Sequence, residues 1–108
     1  SGYPFLEELA EVNVGMISLE SAQQKVDLSV LKRLGNKRLI VGVIDLADDS
    51  PVEDVETLVG RIRNALKYVD ADRLILAPDC GMKYLPRAKA FAKLSALARA
   101  AAKVRADL

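Results

Sequence analysis

The residues best suited to chemistry follow a short apolar run near the middle of the chain. Residues 74–77 read Leu-Ile-Leu-Ala and predict a buried strand, which Pro78 ends and Gly81 follows with a tight turn. Asp79 and Cys80 lie between them, and Cys80 is the only cysteine in 108 residues. A carboxylate and a thiol therefore stand at the carboxyl end of a strand, where parallel α/β proteins carry their functional groups. A lone cysteine is also often just a small buried apolar residue.

The two earlier predicted strands also end at acidic residues, Glu20 and Asp45. The carboxyl ends of parallel strands share one edge of a sheet, so Glu20, Asp45, Asp79 and Cys80 can converge there. Carboxylates and a thiolate are plausible zinc ligands, although a carboxylate after a strand often only caps a helix. Glu20 and Cys80 are the favoured metal ligands, with Asp45 and Asp79 as neighbours of the site.

Helical and strand patterns alternate along the whole chain. Short connections between them predict right-handed βαβ units and a parallel sheet. The central strand is apolar on both faces, which predicts that both faces of the sheet are covered. The predicted helices span residues 4–12, 28–34, 50–68 and 86–106, and the predicted strands span residues 14–19, 39–44 and 74–77.

The last two helices carry the clearest local signals. Residues 50–53, Ser-Pro-Val-Glu, form a capping-box pattern that predicts a helix start with the Ser50 hydroxyl as cap. In the final helix, Lys93 is predicted to lie on the solvated face with the other basic residues. The predicted buried side of that helix consists of Phe91, Leu94, Leu97, Ala98, Ala101 and Val104.

Composition excludes several classes of function. The formal net charge is +1 without a basic block, so neither nucleic acid nor an anionic membrane is an expected partner. No apolar run approaches the ~18 residues of a membrane span. The start of the sequence lacks signal-peptide features, and a single cysteine suits a reducing compartment, so a cytoplasmic location is expected. The absence of histidine excludes Ser-His-Asp and Cys-His catalysis and any histidine metal site built by this chain alone.

Three parallel strands make a poor independent domain because two sheet edges stay unpaired. A complete (β/α)₈ barrel needs about 250 residues. Residues 1–108 are therefore expected to form a single partial domain. Such a domain is either a piece of a longer barrel or a chain that closes its edges as a homo-oligomer.

Two motifs resemble the C-terminal end of the cobalamin-independent methionine synthase family. These are residues 78–83, Pro-Asp-Cys-Gly-Met-Lys, and residues 16–20, Met-Ile-Ser-Leu-Glu. Residues 42–45 and 50–53 and the basic, alanine-rich final helix are similar as well, so the resemblance spans nearly the whole chain. The continuation over residues 84–87 is similar to the short, core-type bacterial members.

The resemblance implies the last three βα units of a (β/α)₈ TIM barrel and a zinc site. It maps two zinc ligands onto Glu20 and Cys80, while the family's His-x-Cys pair on an earlier strand has no counterpart in this chain. It also implies methyl transfer to the thiol of homocysteine to form methionine, with zinc generating the thiolate. Glu20 would be the weaker ligand, able to shift as substrate sulfur enters. This chain alone is expected to be inactive.

Several alternatives stay open. The methyl donor could be a methylated folate or a methylcorrinoid protein, and the acceptor could be another thiol such as coenzyme M. A truncated half-barrel could act without catalysis, through self-association or a partner chain. A small flavodoxin-like binding domain is a third alternative, but no glycine-rich nucleotide motif supports it.

Overall fold

The structure, a computed structural model, describes residues 8, 11, 15–22, 28–34, 37–47 and 50–108. The predicted helix over residues 4–12 lies outside these residues apart from Glu8 and Glu11. The described elements, in chain order, are strand β1 (Met16–Glu20), a 3₁₀ helix (Leu28–Leu34), strand β2 (Arg38–Ile44), helix α1 (Val55–Leu66), a short 3₁₀ helix (Ala71–Arg73), strand β3 (Leu74–Pro78) and helix α2 (Arg87–Ala106).

The three strands form one parallel sheet in the order β1-β2-β3, which confirms the predicted parallel arrangement. Leu19 pairs with Val41, and Val41 pairs with Leu76 on the other side. The register between β2 and β3 shifts between Gly42 and Ile44. Because both pairs of strands are parallel, all three strands end at one edge of the sheet, which is called the carboxyl edge below.

One face of the sheet packs into the core, and the other, called the open face below, is more exposed to solvent. Residues in register share a face because side chains alternate along a strand. The covered face carries Leu19, Leu39 and Val41, which pack with buried residues of α1 and α2 in one core cluster. The second face carries Met16 and Ile75, which are 43% and 39% exposed. Covering of both faces was thus wrongly predicted for the described part of the chain, because both helices pack on the same side.

Helix α1 begins later than the capping-box pattern predicted. Its cap is Asp54, whose Oδ1 accepts the backbone N–H of Thr57 at 2.7 Å, and the helix starts at Val55. The prediction of Ser50 as cap is therefore wrong. Ser50 and Glu53 lie in the preceding segment and bond to other partners, described below. The helical spacing of the apolar residues predicts a stripe of Val55, Leu58, Val59, Ile62, Leu66 and Val69. Of these, Leu58, Val59 and Ile62 are buried in α1, together with Ala65.

Helix α2 is rotated relative to its predicted orientation. Lys93 is fully buried, whereas Phe91 and Leu94 are 74% and 47% exposed. The prediction that Lys93 faces solvent and that Phe91 and Leu94 face the core is therefore wrong. The buried stripe consists of Lys93, Ala96, Leu97, Ala100 and Val104. No helix in the part of the chain that the structure describes is long and apolar enough to cross a membrane.

Candidate active site at the carboxyl edge of the sheet

Glu20 is the last residue of β1 and lies on the open face at the carboxyl edge. It is half-buried and pairs in register with Gly42 of β2, which in turn pairs with Ala77 of β3. The chain then turns through Ser21 and Ala22. The Ser21 hydroxyl donates to the carbonyl of Gly42 at 2.6 Å, and the Ser21 N–H reaches the same carbonyl at 3.3 Å. These bonds hold the residue after Glu20 against the middle strand.

Cys80 follows β3 on the same edge and is exposed. Pro78 ends the strand as the sequence predicted. The N–H of Asp79 donates to the carbonyl of Ile44 at 3.1 Å, so the residue before Cys80 is tied to the end of β2. The thiol thus stands on a short segment whose start is fixed by the sheet, with its side chain accessible to solvent.

Asp79 connects the two outer strands. Its Oδ1 accepts the N–H of Ala22 at 3.1 Å and the N–H of Ser21 at 3.2 Å, although β1 and β3 are separated by β2. Asp79 is only 8% exposed. The carboxylate thus accepts two consecutive N–H groups just beyond β1, of which the Ser21 N–H is shared with the carbonyl of Gly42.

Gly42 makes this connection sterically feasible. A Cβ atom at position 42 would overlap Oδ1 of Asp79 and would lie 2.8 Å from its Cα, closer than real Cβ contacts. The middle strand therefore has no side chain at the point where the Asp79 carboxylate passes over it. This glycine is explained by the close approach of a neighbouring residue and needs no unusual backbone conformation.

Asp45, which follows β2, forms a local turn. Its Oδ1 accepts the N–H of Ala47 at 2.9 Å, its N–H donates to Oε2 of Glu53 at 2.8 Å, and its carbonyl accepts from Lys93 at 2.8 Å. The carboxylate of Asp45 is thus hydrogen-bonded within the loop that follows β2. Asp45 shapes the end of β2 chiefly through its main chain.

The buried ammonium of Lys93 organises the segment between β2 and α1. Its Nζ donates to Oε1 of Glu53 at 2.9 Å, to the carbonyl of Pro51 at 3.0 Å and to Oγ of Ser50 at 3.3 Å, besides the carbonyl of Asp45. These four acceptors surround the three N–H groups of the ammonium, so the buried charge is both paired and hydrogen-bonded. One residue of α2 therefore holds the loop that leaves β2 at the carboxyl edge.

Glu53 completes this buried cluster. Its Oε2 also accepts from Arg61 of α1 at 3.2 Å, and Arg61 donates to the carbonyl of Val43 at 2.6 Å. Burial by itself raises the pKa of Glu53. The N–H of Asp45 and the ammonium of Lys93 outweigh that effect and hold the pKa below its ordinary value of 4.5. Glu53 is therefore a charged structural group at neutral pH.

Sequence reasoning missed this cluster, although a signal was present. Positions 93, 97, 100 and 104 follow helical spacing, and the last three are apolar. A lysine that continues such a stripe is a candidate for burial if an acidic partner is available. The acidic partner, Glu53, had been assigned to a capping box, so the pairing was not recognised.

The four predicted site residues do not assemble into one metal-binding group. Within residues 15–22, 28–34, 37–47 and 50–108, no three His, Cys, Asp or Glu side chains are placed to hold a metal ion. Oδ1 of Asp79 accepts the two N–H groups after β1, and Oδ1 of Asp45 accepts the N–H of Ala47. Asp45 and Asp79 as neighbours of a metal site stay a prediction. Glu20 and Cys80 as a ligand pair stay a prediction.

The parallel sheet and the helices that follow its strands define an α/β protein, with Glu20, Asp45, Asp79 and Cys80 at or just beyond the carboxyl edge. A profile of the family described as "Cobalamin-independent synthase, Catalytic domain" matches residues 3–103. The chain belongs to the cobalamin-independent methionine synthase family.

Individual relatives agree with this assignment. The methionine synthase of Pyrococcus horikoshii is 36% identical over 107 residues, which cover 98% of this chain and 31% of that protein. The methionine synthase of Methanothermobacter marburgensis is 38% identical over 96 residues, or 87% of this chain and 31% of that protein. The chain thus spans about a third of the length of these curated relatives.

A solved structure shares the fold. It is a B12-independent methionine synthase from a Shewanella species in complex with selenomethionine. It superposes with a TM-score of 0.88 at 36% identity, covering 94% of this chain and 30% of that one. The three-stranded parallel arrangement is therefore that of a part of such an enzyme.

Proposed function

We propose that residues 1–108 form the C-terminal portion of a methionine synthase-like catalytic barrel that transfers a methyl group to the thiol of homocysteine. The observation that carries the proposal is the carboxyl edge itself, where Glu20 ends one outer strand and Cys80 follows the other in a chain belonging to this family. The Shewanella relative was solved with selenomethionine, which is methionine with selenium in place of sulfur. A methionine-like ligand in a relative supports methionine as the product.

The open face of the sheet supports the barrel interpretation. Met16 and Ile75 are partly exposed apolar residues on that face, and Glu20 lies on the same face. In a closed (β/α)₈ barrel one face of every strand points inward and the helices cover the other. Three strands with helices on one face only are what the last three βα units of such a barrel would provide.

We further propose that Glu20 and Cys80 contribute two ligands to a zinc ion. The donor set fits zinc, which binds thiolate sulfur and carboxylate oxygen, and the exposed side chain of Cys80 is accessible to a metal. Zinc takes four ligands in structural sites and three protein ligands in catalytic ones. The chain has no histidine, so any imidazole ligand would come from another segment or another chain.

The roles of the two residues differ. When bound, zinc would supply the positive charge that makes a substrate thiol acidic at neutral pH. Cys80 would anchor the metal through its sulfur and would not itself be methylated. Glu20 would be the weaker ligand and the one exchanged for substrate sulfur. The two N–H bonds to Asp79 would keep the backbone after Glu20 in place during that exchange.

The first test is zinc content, measured by elemental mass spectrometry on a chimera in which these 108 residues replace the matching segment of the Pyrococcus horikoshii methionine synthase, so that residues outside this chain can supply further ligands. Wild type is compared with Cys80→Ala, Glu20→Gln and the control Glu56→Gln, which alters an exposed carboxylate on α1 paired with Lys103. We expect zinc in wild type and in the control and a loss in both site variants. Equal zinc in all four proteins would contradict the ligand assignment.

The second test addresses methyl transfer. The 108 residues replace the matching segment of the Pyrococcus horikoshii methionine synthase, and methionine formation from homocysteine is measured with each candidate methyl donor. We expect the chimera to be active and Cys80→Ala to abolish that activity. A folded, zinc-containing chimera that is inactive with every donor would contradict the proposed reaction.

A groove beside β3 favours a second candidate, a non-catalytic half-barrel that self-associates. Leu74 and Ile75 line this groove together with Leu94, Leu97 and Ala98 of α2. Ile75 and Leu94 are both partly exposed, and β3 is an outer strand of the described sheet. Light scattering on the purified chain separates the candidates, because a stable monomer would contradict self-association.

A further inference from the structure

We propose that Asp79 is a positioning residue that fixes the placement of Glu20 relative to Cys80, and that Gly42 is required for it to do so. The proposal rests on the proposed function in treating Glu20 and Cys80 as metal ligands. Asp79 is adjacent to Cys80 in the chain, and the first N–H that it binds, that of Ser21, is adjacent to Glu20. One carboxylate thus connects the immediate neighbours of both ligands.

The connection is specific because it passes over the middle strand. Glu20 belongs to one outer strand of the sheet and Cys80 follows the other, with β2 between them, and adjacent strands lie about 4.8 Å apart. Ordinary ladder bonds fix each outer strand only against β2. The N–H groups of Ser21 and Ala22, by contrast, donate to Oδ1 of Asp79 and so join the segments that follow the two outer strands directly. These segments are the ones that carry the proposed ligands.

Two further bonds reduce the freedom of this arrangement. The N–H of Asp79 is held by the carbonyl of Ile44, and the Ser21 hydroxyl by the carbonyl of Gly42. Both residues therefore have a second attachment to β2. Because Asp79 is also buried, water competes poorly for its two N–H partners. Loss of the carboxylate should loosen the turn after Glu20 while the strands themselves remain paired.

The requirement for glycine at position 42 follows from the same geometry. Any side chain there would displace Asp79 from Ser21 and Ala22, since even a Cβ atom would collide with its carboxylate and its backbone. Gly42→Ala should therefore reproduce the effect of Asp79→Ala on the turn after Glu20. Equivalence of the two variants is a specific consequence of the proposal.

The test combines two readouts that need no metal with one that does. The first is amide hydrogen exchange at Ser21 and Ala22 by NMR. The second is the dipolar broadening between nitroxide labels on Cys80 and on a Glu20→Cys substitution, which uses the chain's only native thiol. The third is the zinc affinity of the unlabelled chimera with the Pyrococcus horikoshii methionine synthase. Each is measured for wild type, Asp79→Ala, Asp79→Asn and Gly42→Ala.

Asp54→Ala is the matched control, since Asp54 also accepts a backbone N–H but does so at the start of α1. In Asp79→Ala and Gly42→Ala we expect at least tenfold faster exchange at Ala22 and a smaller increase at Ser21, whose N–H also has the carbonyl of Gly42 as acceptor. We also expect weaker dipolar broadening and about 10–100-fold lower zinc affinity. Asp79→Asn keeps an acceptor oxygen and should be intermediate. Asp54→Ala should leave all three readouts unchanged.

Distinct outcomes overturn distinct proposals. Unchanged exchange or unchanged broadening in Asp79→Ala would overturn the positioning role. Loosened backbone with full zinc affinity would overturn it as well, because the ligands would then not depend on Asp79. Absence of zinc from wild type would instead overturn the proposed metal site, and the exchange and broadening measurements would still decide whether Asp79 fixes residues 20 and 80.

Discussion

The Nζ atom of Lys93 lies 2.9 Å from Oε1 of Glu53, and the two side chains are 0% and 6% exposed. This ion pair joins α2 to the segment between β2 and α1. Buried pairs contribute modestly compared with apolar replacements, but the loss of one member leaves an uncompensated charge. Single substitutions in this cluster should therefore lower the free energy of unfolding.

Lys93→Met should lower the free energy of unfolding by about 3–5 kcal/mol, because Glu53 and two backbone carbonyls lose their buried partner. Urea denaturation followed by circular dichroism measures this loss. Lys103→Met is the control, since Lys103 pairs with Glu56 where both side chains are exposed. Its cost should stay below about 1 kcal/mol. Equal losses in the two variants would contradict the buried pairing.

Glu53 should make stability depend on acidic pH. Burial raises the pKa of Glu53, but the Asp45 N–H and the Lys93 ammonium together lower it by more than burial raises it, so the folded state favours the charged form. Its contribution is complete above the unfolded value of about 4.5 and is lost as the pH falls through the lower folded pKa. Unfolding free energies between pH 7 and pH 3 should fall less steeply in Glu53→Gln. An identical decline in both proteins would contradict this assignment.

Replacement of Gly42 and of Gly60 by alanine should change the free energy of unfolding in opposite directions. Gly42→Ala should destabilise the protein by about 1–3 kcal/mol because its Cβ collides with Asp79. Gly60→Ala should stabilise it by about 0.5–1 kcal/mol, since Gly60 lies in α1 with open space around it. Thermal and urea unfolding of the pair provide the comparison. A neutral Gly42→Ala variant would contradict the close approach of Asp79.

The start of α1 can be tested at single-residue level. Asp54→Ala should destabilise the first turn of the helix and speed hydrogen exchange at the Thr57 amide, since Oδ1 of Asp54 accepts that N–H. Ser50→Ala should leave exchange at Thr57 unchanged, because the Ser50 hydroxyl contacts Lys93 and the carbonyl of Pro51. The reverse pattern would restore Ser50 as the cap.

Cys80 should report metal binding through its reactivity. It is the only thiol and is exposed, so a disulfide reagent should modify the native protein at a rate within about tenfold of the unfolded chain. Zinc should slow this reaction, and a chelator should restore it. Glu20→Gln should weaken the protection. Protection that is equal in wild type and Glu20→Gln would remove Glu20 from the proposed ligands.

The sequence predicted those features that depend on local pattern. The three strands, the parallel order and the apolar stripe of α1 follow from short apolar runs and helical spacing. The family was also recognisable from residues 16–20 and 78–83. These features need no knowledge of which elements touch, so pattern alone was sufficient.

The errors all depend on long-range pairing. Glu53 was assigned to a local cap, yet its partner Lys93 lies 40 residues away. The same pair explains the rotation of α2, because burying Lys93 turns Phe91 and Leu94 outward. The contact between Asp79 and Ser21 spans 58 residues and depends on a glycine in a third element. Local periodicity carries no information about such partners.

The close approach between Gly42 and Asp79 also constrains how the sequence can evolve. A Cβ atom at position 42 would collide both with the carboxylate of Asp79 and with its Cα, which lies 2.8 Å away. Shortening the side chain at position 79 therefore does not by itself make room for a side chain at position 42. Position 42 should stay glycine even in homologues that lack the carboxylate, for as long as the backbone after β3 keeps this close approach.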